Sequence, residues 1–325
     1  MDEKTKKKRL EALRFFAVAI TVLNVLGHTV LGFEQSHLQS VAAVLAAYAT
    51  EIILEIMKVR GTGETPRFFA TTRREQTDSQ DRDSQKRIDW QRRIDFFLPP
   101  HISGLAVAML TYANDRIDVV IFAAVVAIAS KALLQAPMDA TGRMQHFMNP
   151  SNCGITVTLL CFHWVGVAMP YQFTENLPGL LGYLIPTIII FFGSRINKNK
   201  TERLPLILAW LGGFVLQAVV RSAMMDVRLA AALNTMTGVA FILFTFYMIT
   251  DPQTTPDDRQ GQIWFGLGTA AVYGVLMALG VVYTLFFCLS ITCLLRGGWL
   301  WYCHRKSINA SAAPEPRVRA ILGRA

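Results

Sequence analysis

The sequence predicts an all-α polytopic membrane protein of about ten transmembrane helices, with its N- and C-termini both cytoplasmic. The 325-residue chain is 52% hydrophobic and 17% charged, which is more apolar and less charged than an ordinary soluble domain. Apolar runs near the length that crosses a bilayer recur along the whole chain. Basic residues gather in alternate loops between these runs, as insertion into a membrane requires.

A helix needs about 20 mostly apolar residues to cross the hydrocarbon core. Several of the predicted spans are shorter, which is typical of tilted or half helices. We divide the last apolar stretch near Gly280, because it is too long for one ordinary helix. The ten predicted spans are residues 13–31, 38–57, 97–112, 119–134, 154–169, 177–192, 204–220, 229–249, 264–279 and 281–295.

The loop charges test this count independently. With the N-terminus inside, all but three of the 32 Lys and Arg residues fall on the cytoplasmic side. The three predicted outside are Arg116, Arg221 and Arg228. A count wrong by one span would invert every later loop and remove this asymmetry, so the positive-inside bias supports ten.

This topology gives the chain three regions. A basic cytoplasmic N-terminus (1–12) precedes the membrane domain (13–306), which contains a cytoplasmic loop (58–96), and a cytoplasmic tail (307–325) follows. The polar, mixed-charge segment 77–87 (TDSQDRDSQKR) predicts a flexible part of that loop, and the tail is predicted to be a loose extension. The net charge of +9 lies in loops beside spans, so it indicates topology and attraction to anionic lipid, not nucleic-acid binding.

The spacing of the cysteines and the spacing of possible nucleophiles and bases match none of the common disulfide, metal-site or catalytic patterns. The five Cys residues form no CxxC pair, so neither a disulfide framework nor a metal site is predicted. We find no nucleophile–base arrangement of recognisable spacing, and no catalytic residue is assigned. The first apolar run is too long for a signal peptide and is interpreted as a retained span.

Ionisable residues inside spans are costly and often functional. Glu51 and Glu55 share one face of the second span, where they either form a cation or proton site or pair with nearby Arg and Lys; we favour pairing. His28 and His163 are interpreted as hydrogen-bonded interior histidines, with metal ligation as the alternative.

Two proline-containing motifs interrupt the span pattern. QHFMNPSNCG (145–154) leads into the fifth span, where Asn149 before a proline predicts a helix N-cap. Asn149 and Asn152 would then offer amides near a positive helix end, which suits an anionic or carbonyl-bearing ligand.

The second motif, YMITDPQTTP (247–256), closes the eighth span. It supplies Asp251, Thr254 and Thr255 where the helix must stop. For both motifs, plain capping and turn formation is the alternative interpretation.

Together these motifs resemble the RnfD/NqrB family of integral membrane redox subunits. The resemblance rests on NPSN–Gly followed about 100 residues later by FTFYMITDPQTTP (244–256), and it runs from about residue 90 to 305. The sequence is similar more closely to the UnbU-type membrane proteins of enediyne antibiotic gene clusters. The segments that carry this closer similarity are HFMNPSNCGI (146–155), MPYQFTEN (169–176) and RLPLILAWLGGFVLQAVVR (203–221).

The resemblance implies a ten-span fold, a flavin-linked electron-transfer ancestry and a bacterial inner (plasma) membrane location. Family members carry FMN on a Thr within an S-G/A-A-T sequence, whereas this chain reads MPYQFTENLPG, in which Thr174 is the nearby candidate with neighbours that do not match. Covalent FMN is therefore not expected. A non-covalent FMN or riboflavin could occupy a pocket formed by the two motifs. The residues assigned to that pocket are Asn149, Asn152, Asp251, Thr254 and Thr255.

The leading hypothesis is a membrane component of enediyne-type natural-product biosynthesis that moves electrons to a redox or biosynthetic partner protein. A cofactor would perform the chemistry while the protein orients it. The alternative is a transporter or channel-like protein for a product, precursor or flavin, whose broken helix ends form the substrate site. We expect the chain to contact the lipid bilayer and not to bind nucleic acid.

Overall fold

A computed structural model describes residues 3–69, 79–138, 142–169 and 171–312, and this part of the chain is mostly helical. Its helices are α1 (Glu3–Leu26), α2 (His37–Thr62), α3 (Ser79–Leu110), α4 (Ile117–Leu133), α5 (Pro150–Cys161), α6 (Leu184–Asn199), α7 (Leu204–Met224), α8 (Leu229–Asn234), α9 (Val239–Leu243), α10 (Arg259–Ala278) and α11 (Thr284–Ala312). Short π-helical turns extend α1 (Gly27–Leu31) and α9 (Phe244–Met248), and 3₁₀ turns precede α6 (Gly179–Tyr183) and α9 (Thr235–Thr237).

Strands are confined to two short antiparallel pairs in the connections. β1 (Thr111–Tyr112) pairs with β4 (Gly166–Val167), with Thr111 opposite Val167. β2 (Gln135–Pro137) pairs with β3 (Met144–His146), with Gln135 opposite His146. The two pairs are separate two-stranded sheets, so the membrane-facing framework is helical.

Within the described residues, six helical segments are long and apolar enough to cross a membrane. A seventh span results if the helical pair Leu229–Thr237 and Val239–Met248, bent by 66°, is taken as one. The chain is therefore an all-α, multi-pass membrane protein. The predicted count of ten is not reached by this criterion, because α4 has 17 residues and α5 has 12. In addition, α3 has a polar first half.

Close helix packing is achieved with small residues. α5 packs on α4 where Gly154 lies against the Ala123 carbonyl, and α3 packs on α2 where Gly104 lies against Ala43. α7 packs along α10, and Trp210 is fully buried at that contact. Small residues let helix backbones approach each other in a membrane, where apolar burial gives little driving force.

Most of the ion pairs that the structure describes lie at one end of the bundle, which we call the basic end, whereas Arg116–Asp118 lies at the other. The pairs at this end are Arg9–Asp257, Glu11–Lys200, Arg14–Asp95, Glu51–Lys131, Glu55–Arg67 and Arg203–Asp257. The opposite end includes the segments 32–36, 112–116, 162–169, 171–176 and 279–283. There Gln35 donates to Gln172 at 3.0 Å, Phe33 packs on Phe173, and Gly166 faces the Tyr283 hydroxyl.

The structure shows where several of the predicted span and loop boundaries lie. The division near Gly280 is confirmed, since α10 ends at Ala278, α11 begins at Thr284 and Gly280 has φ +72°, a conformation that suits glycine. The predicted flexible segment 77–87 is wrong from Ser79 onward, because α3 begins there; residues 77 and 78 lie outside the described residues. The predicted loose tail is wrong for 307–312, which continue α11. Extending an existing helix costs far less than starting one, so both helices run beyond their apolar parts.

Candidate functional site

The first motif forms the start of α5 as predicted. Asn149 is the N-cap: its Oδ1 accepts from the Asn152 backbone N–H at 3.0 Å and from the Ser151 hydroxyl at 2.8 Å. Pro150 occupies the first helical turn, where a missing N–H costs nothing. The Asn149 amide Nδ2 is left to point away from α5, toward the second motif.

The second motif meets that amide. Asn149 Nδ2 lies 3.4 Å from Asp251 Oδ2 and 3.4 Å from the Met248 carbonyl oxygen. Met248 ends the π-helical turn Phe244–Met248, so its carbonyl is one of those left without a regular helical partner. The two motifs therefore share one end of the bundle and contact each other directly.

Arginine side chains hold the turn that follows Asp251. Arg203, 2% exposed, donates to the Pro252 carbonyl at 3.3 Å and to Asp257 at 2.6 Å. Arg296 donates to the Thr254 carbonyl at 3.0 Å. Hydrogen bonds from charged donors are stronger than neutral ones, so this turn is a firmly anchored wall of the site.

A cavity of about 900 Å³ lies beside the junction of the two motifs. Apolar residues of α1, α3 and α6 form its walls. Its volume is within the range of about 300–1,000 Å³ that small-molecule sites occupy. Polar and charged residues gather where it reaches the basic end: Arg9, Lys131, Arg143, His146, Asn149 and Asp251. The cavity is therefore amphipathic, with an apolar body and a polar head that contains charged groups of both signs.

The ionisable groups at this head of the cavity interact with their neighbours. Lys131 Nζ lies 2.7 Å from Glu51 Oε2, with both side chains largely buried. Burial lowers the pKa of His146 below its ordinary value, while the nearby Asp251 carboxylate acts in the opposite direction. A lowered pKa keeps His146 neutral at neutral pH, as a hydrogen-bonding group without charge.

Aromatic residues line the apolar body near the same head. The rings of Phe16 and Tyr247 lie stacked, with centroids 4.9 Å apart and an interplanar angle of 10°, and both line the cavity. Phe15 packs against Phe192 across the cavity wall, at 5.6 Å between centroids. A flat ring ligand would find aromatic faces in this part of the cavity.

The structure separates the predicted pocket residues into two groups. Asn149 and Asp251 line the cavity. Asn152 instead donates to the Phe286 carbonyl at 3.1 Å and to the Ser290 hydroxyl at 2.7 Å, both on α11. Thr254 and Thr255 are buried, and their hydroxyls donate to the Asp251 carbonyl at 3.4 and 2.7 Å. These three residues support the walls without lining the cavity.

Thr174 belongs to the opposite end of the bundle. Its hydroxyl donates to the Tyr171 carbonyl at 3.3 Å, and it does not line the 900 Å³ cavity. Its neighbour Phe173 packs on Phe33. A flavin linked to Thr174 would therefore lie away from both motifs, and the structure does not fit a covalent attachment in this cavity.

Non-covalent binding fits the cavity better. A phosphate or carbonyl group would meet Arg9, Lys131 and Arg143 at the basic end, and a ring system would meet Phe16 and Tyr247. Sequence reasoning missed these residues. The missed signals were a lone lysine ending the apolar helix α4 and, inside the first motif, His146.

The other singled-out residues have definite roles. Glu55 accepts two hydrogen bonds from the Arg67 guanidinium, at 2.9 and 2.8 Å, and Glu51 pairs with Lys131, so the predicted ion pairing is confirmed. His28 hydrogen-bonds the Ser40 hydroxyl at 3.1 Å, also as predicted.

The prediction for His163 is wrong: the residue is exposed, because α5 ends at Cys161 and the chain turns before reaching it. Among the residues that the structure describes, no group of three or more His, Cys, Asp or Glu could hold a metal ion.

Comparison of the chain with models of known families and with curated proteins finds no match.

Proposed function

We propose that this chain is a membrane component of enediyne-type natural-product biosynthesis, related to RnfD/NqrB, that binds FMN or riboflavin without a covalent bond and passes electrons to a partner protein. The observation that carries the proposal is the meeting of the two family-like motifs at the polar, charged head of an aromatic-lined cavity. A flavin, when bound, supplies exchange between two-electron and one-electron transfer.

The residues of this chain would position such a ligand. Arg9, Lys131 and Arg143 carry N–H donors for a phosphate or a ring carbonyl; Arg9 and Lys131 are held in place by Asp257 and Glu51, and hydrogen bonds from charged donors are stronger than neutral ones. Neutral His146 can bond a ring nitrogen or a carbonyl, and the Asn149 amide, whose two N–H groups face Asp251 and Met248, holds the two motifs together beside it. The Asp251 carboxylate fixes that amide and disfavours anions directly against it.

A ten-pass topology with both termini cytoplasmic accompanies this proposal. Its support is that each of the ten predicted segments contains helical residues, and that α3 and α4 have contacts at both ends of the bundle. For α3 and α4, this is indicated by the Asp95–Arg14 and Lys131–Glu51 pairs at the basic end. The Thr111–Val167 pairing lies at the other end. In a bacterial inner membrane, the basic end would face the cytoplasm.

Labelling distinguishes ten passes from seven. In a ten-pass chain with a cytoplasmic N-terminus, a cysteine at Asp115 lies outside and a cysteine at Lys198 lies inside. If α3 to α5 made no crossing, residue 198 would lie outside instead. Each variant, made in a background without native cysteines, is treated with a membrane-impermeant maleimide on intact cells. Labelling at residue 198 but not at 115 would overturn the ten-pass topology.

A visible spectrum tests the flavin. The chain is extracted in a mild detergent, supplied with FMN or riboflavin, freed of unbound ligand and measured for flavin absorbance. We expect a flavin band that acid precipitation releases into the supernatant. Asp251→Ala should reduce bound flavin, whereas Thr174→Ala, at the opposite end, should retain the wild-type amount. Absence of the band with both flavins would refute flavin binding.

Transport is the second candidate, and one observation favours it. The helical pair around Gly238 bends by 66°, and its second half ends in a π turn directly at the cavity. Broken helices of this kind form substrate sites in transporters. Flux of a flavin or a biosynthetic intermediate through proteoliposomes, without a retained flavin band, would favour this function over electron transfer.

A further inference from the structure

A second cavity lies beside α1. It has a volume of about 740 Å³ and is formed by α1, α2 and α3. Its walls are mainly apolar, with Ala17, Val22, Phe97 and Leu98 among them. It shares Val18 and Val22 of α1 with the first cavity, but none of the residues of the two motifs lines it.

This cavity is a groove, and we call the end formed by Thr21, Tyr48 and His101 its closed end. There the three side chains are joined by hydrogen bonds. The Thr21 hydroxyl donates to the Ala17 carbonyl at 2.7 Å, so its oxygen can accept from His101 Nε2 at 2.8 Å. That leaves His101 Nδ1 to accept from the Tyr48 hydroxyl at 2.8 Å. Every polar hydrogen of these three side chains takes part in a hydrogen bond, so the closed end offers no spare donor to a polar ligand. A hydrocarbon chain loses nothing by packing there.

The groove has the depth of one lipid leaflet. On α3 it extends from Trp90 to His101, which at 1.5 Å per helical residue is about 16 Å. Half of a hydrocarbon core of about 30 Å is about 15 Å. Its mouth and its closed end therefore match the headgroup level and the middle of the bilayer.

The mouth of the groove, at Arg14, Trp90 and Arg93, contains an arginine cation and an aromatic residue suited to the membrane interface. Arg14 is neutralised by two hydrogen bonds to Asp95, at 2.8 and 2.7 Å. Arg93 is exposed and has no ion-pair partner among the side chains that the structure describes, which on α3 begin at Asp89. Trp90, 64% exposed, stands beside it, and tryptophan prefers the headgroup level. The unneutralised charge at the mouth is thus positive.

We propose that this groove binds an anionic phospholipid of the surrounding leaflet, with the phosphate at Arg93 and one acyl chain between α1 and α3. The cationic mouth complements the phosphate, the leaflet-deep apolar wall fits the chain, and the satisfied closed end suits hydrocarbon. The proposal does not depend on flavin binding.

Quenching of Trp90 by brominated acyl chains tests this site. The full chain is reconstituted in phosphatidylcholine vesicles that contain an equal mole fraction of brominated phosphatidylglycerol or brominated phosphatidylcholine. The Trp90 signal is the difference between the wild type and Trp90→Phe. We expect about a fivefold preference of Trp90 for the anionic lipid, the size that one basic residue near an anionic headgroup provides.

Two arginine variants separate a site from ordinary lipid contact. Arg93→Gln should remove the preference. Arg60→Gln removes an exposed arginine of α2 that does not line the groove, and it should leave the preference unchanged. Equal quenching by both lipids, or a preference that survives Arg93→Gln, would overturn the proposal.

Discussion

Asn149 and Asp251 are 102 residues apart in the chain, yet the amide nitrogen of one lies 3.4 Å from a carboxylate oxygen of the other. Asn149 caps the N-terminus of α5, and Asp251 terminates the helical segment that ends at Met248. The contact joins a positive helix end to a broken helix end at the head of a cavity. Each side chain also has a local turn or capping role, so mutations must separate the two roles.

Substitution of Asn149 can separate capping from ligand binding. Asn149→Ala removes the cap and should lower stability by about 1 kcal/mol, in addition to impairing ligand binding. Asn149→Ser retains a capping oxygen but lacks the amide that reaches Asp251. We expect the serine variant to show near wild-type thermal stability in detergent with weakened flavin retention. Wild-type retention in both variants would remove Asn149 from the site.

The buried pair of Lys131 and Glu51 should show strong coupling. Lys131→Met leaves the Glu51 carboxylate buried without its 2.7 Å partner, and loss of one partner of a buried pair costs about 3–5 kcal/mol. The double variant Lys131→Met/Glu51→Met should recover much of this loss. Thermal unfolding of the four species forms a double-mutant cycle. Additive effects would contradict direct pairing.

Gly154 should tolerate no side chain. A Cβ there would overlap the Ala123 carbonyl oxygen and lie 2.8 Å from Ala127 Cβ, so α5 would have to move away from α4. Such overpacking costs about 1–3 kcal/mol. Gly212→Ala is the matched control, since nothing lies within 4 Å of the corresponding Cβ. We expect a clear decrease in Tm for Gly154→Ala and none for Gly212→Ala; equal effects would contradict the α4–α5 contact.

His146 should make stability depend on pH. Burial lowers its pKa in the folded protein, whereas the unfolded chain takes up a proton near pH 6.5. The unfolded state thus binds more protons below about pH 6.5, and stability decreases as the pH falls from there toward the lower folded pKa. His146→Gln should reduce this decrease. His163→Gln, at an exposed histidine, should keep it, and an unchanged profile in His146→Gln would contradict a buried neutral His146.

Some details of the site could be predicted from local sequence because they depend on neighbouring residues. An asparagine before a proline favours an N-cap, and Asn149 is one. The opposite orientation of Asn152, toward Ser290, depends on a contact 138 residues away. Likewise, Thr254 and Thr255 share a motif with Asp251, but their hydroxyls bond its carbonyl within the turn. Sequence spacing does not distinguish a hydroxyl that faces a cavity from one that closes a turn.

The amino-acid sequence by itself determined that the chain is a multi-pass helical membrane protein, because backbone groups in lipid must bond within their own helix and apolar side chains must face hydrocarbon. It also determined the break at Gly280 and the cap at Asn149, which are local in origin. Tertiary structure decided which polar residues meet. Lys131, His146 and Asp251 converge on one cavity because α4, β3 and the end of the broken helix pack together, and such long-range packing leaves no pattern in any single segment.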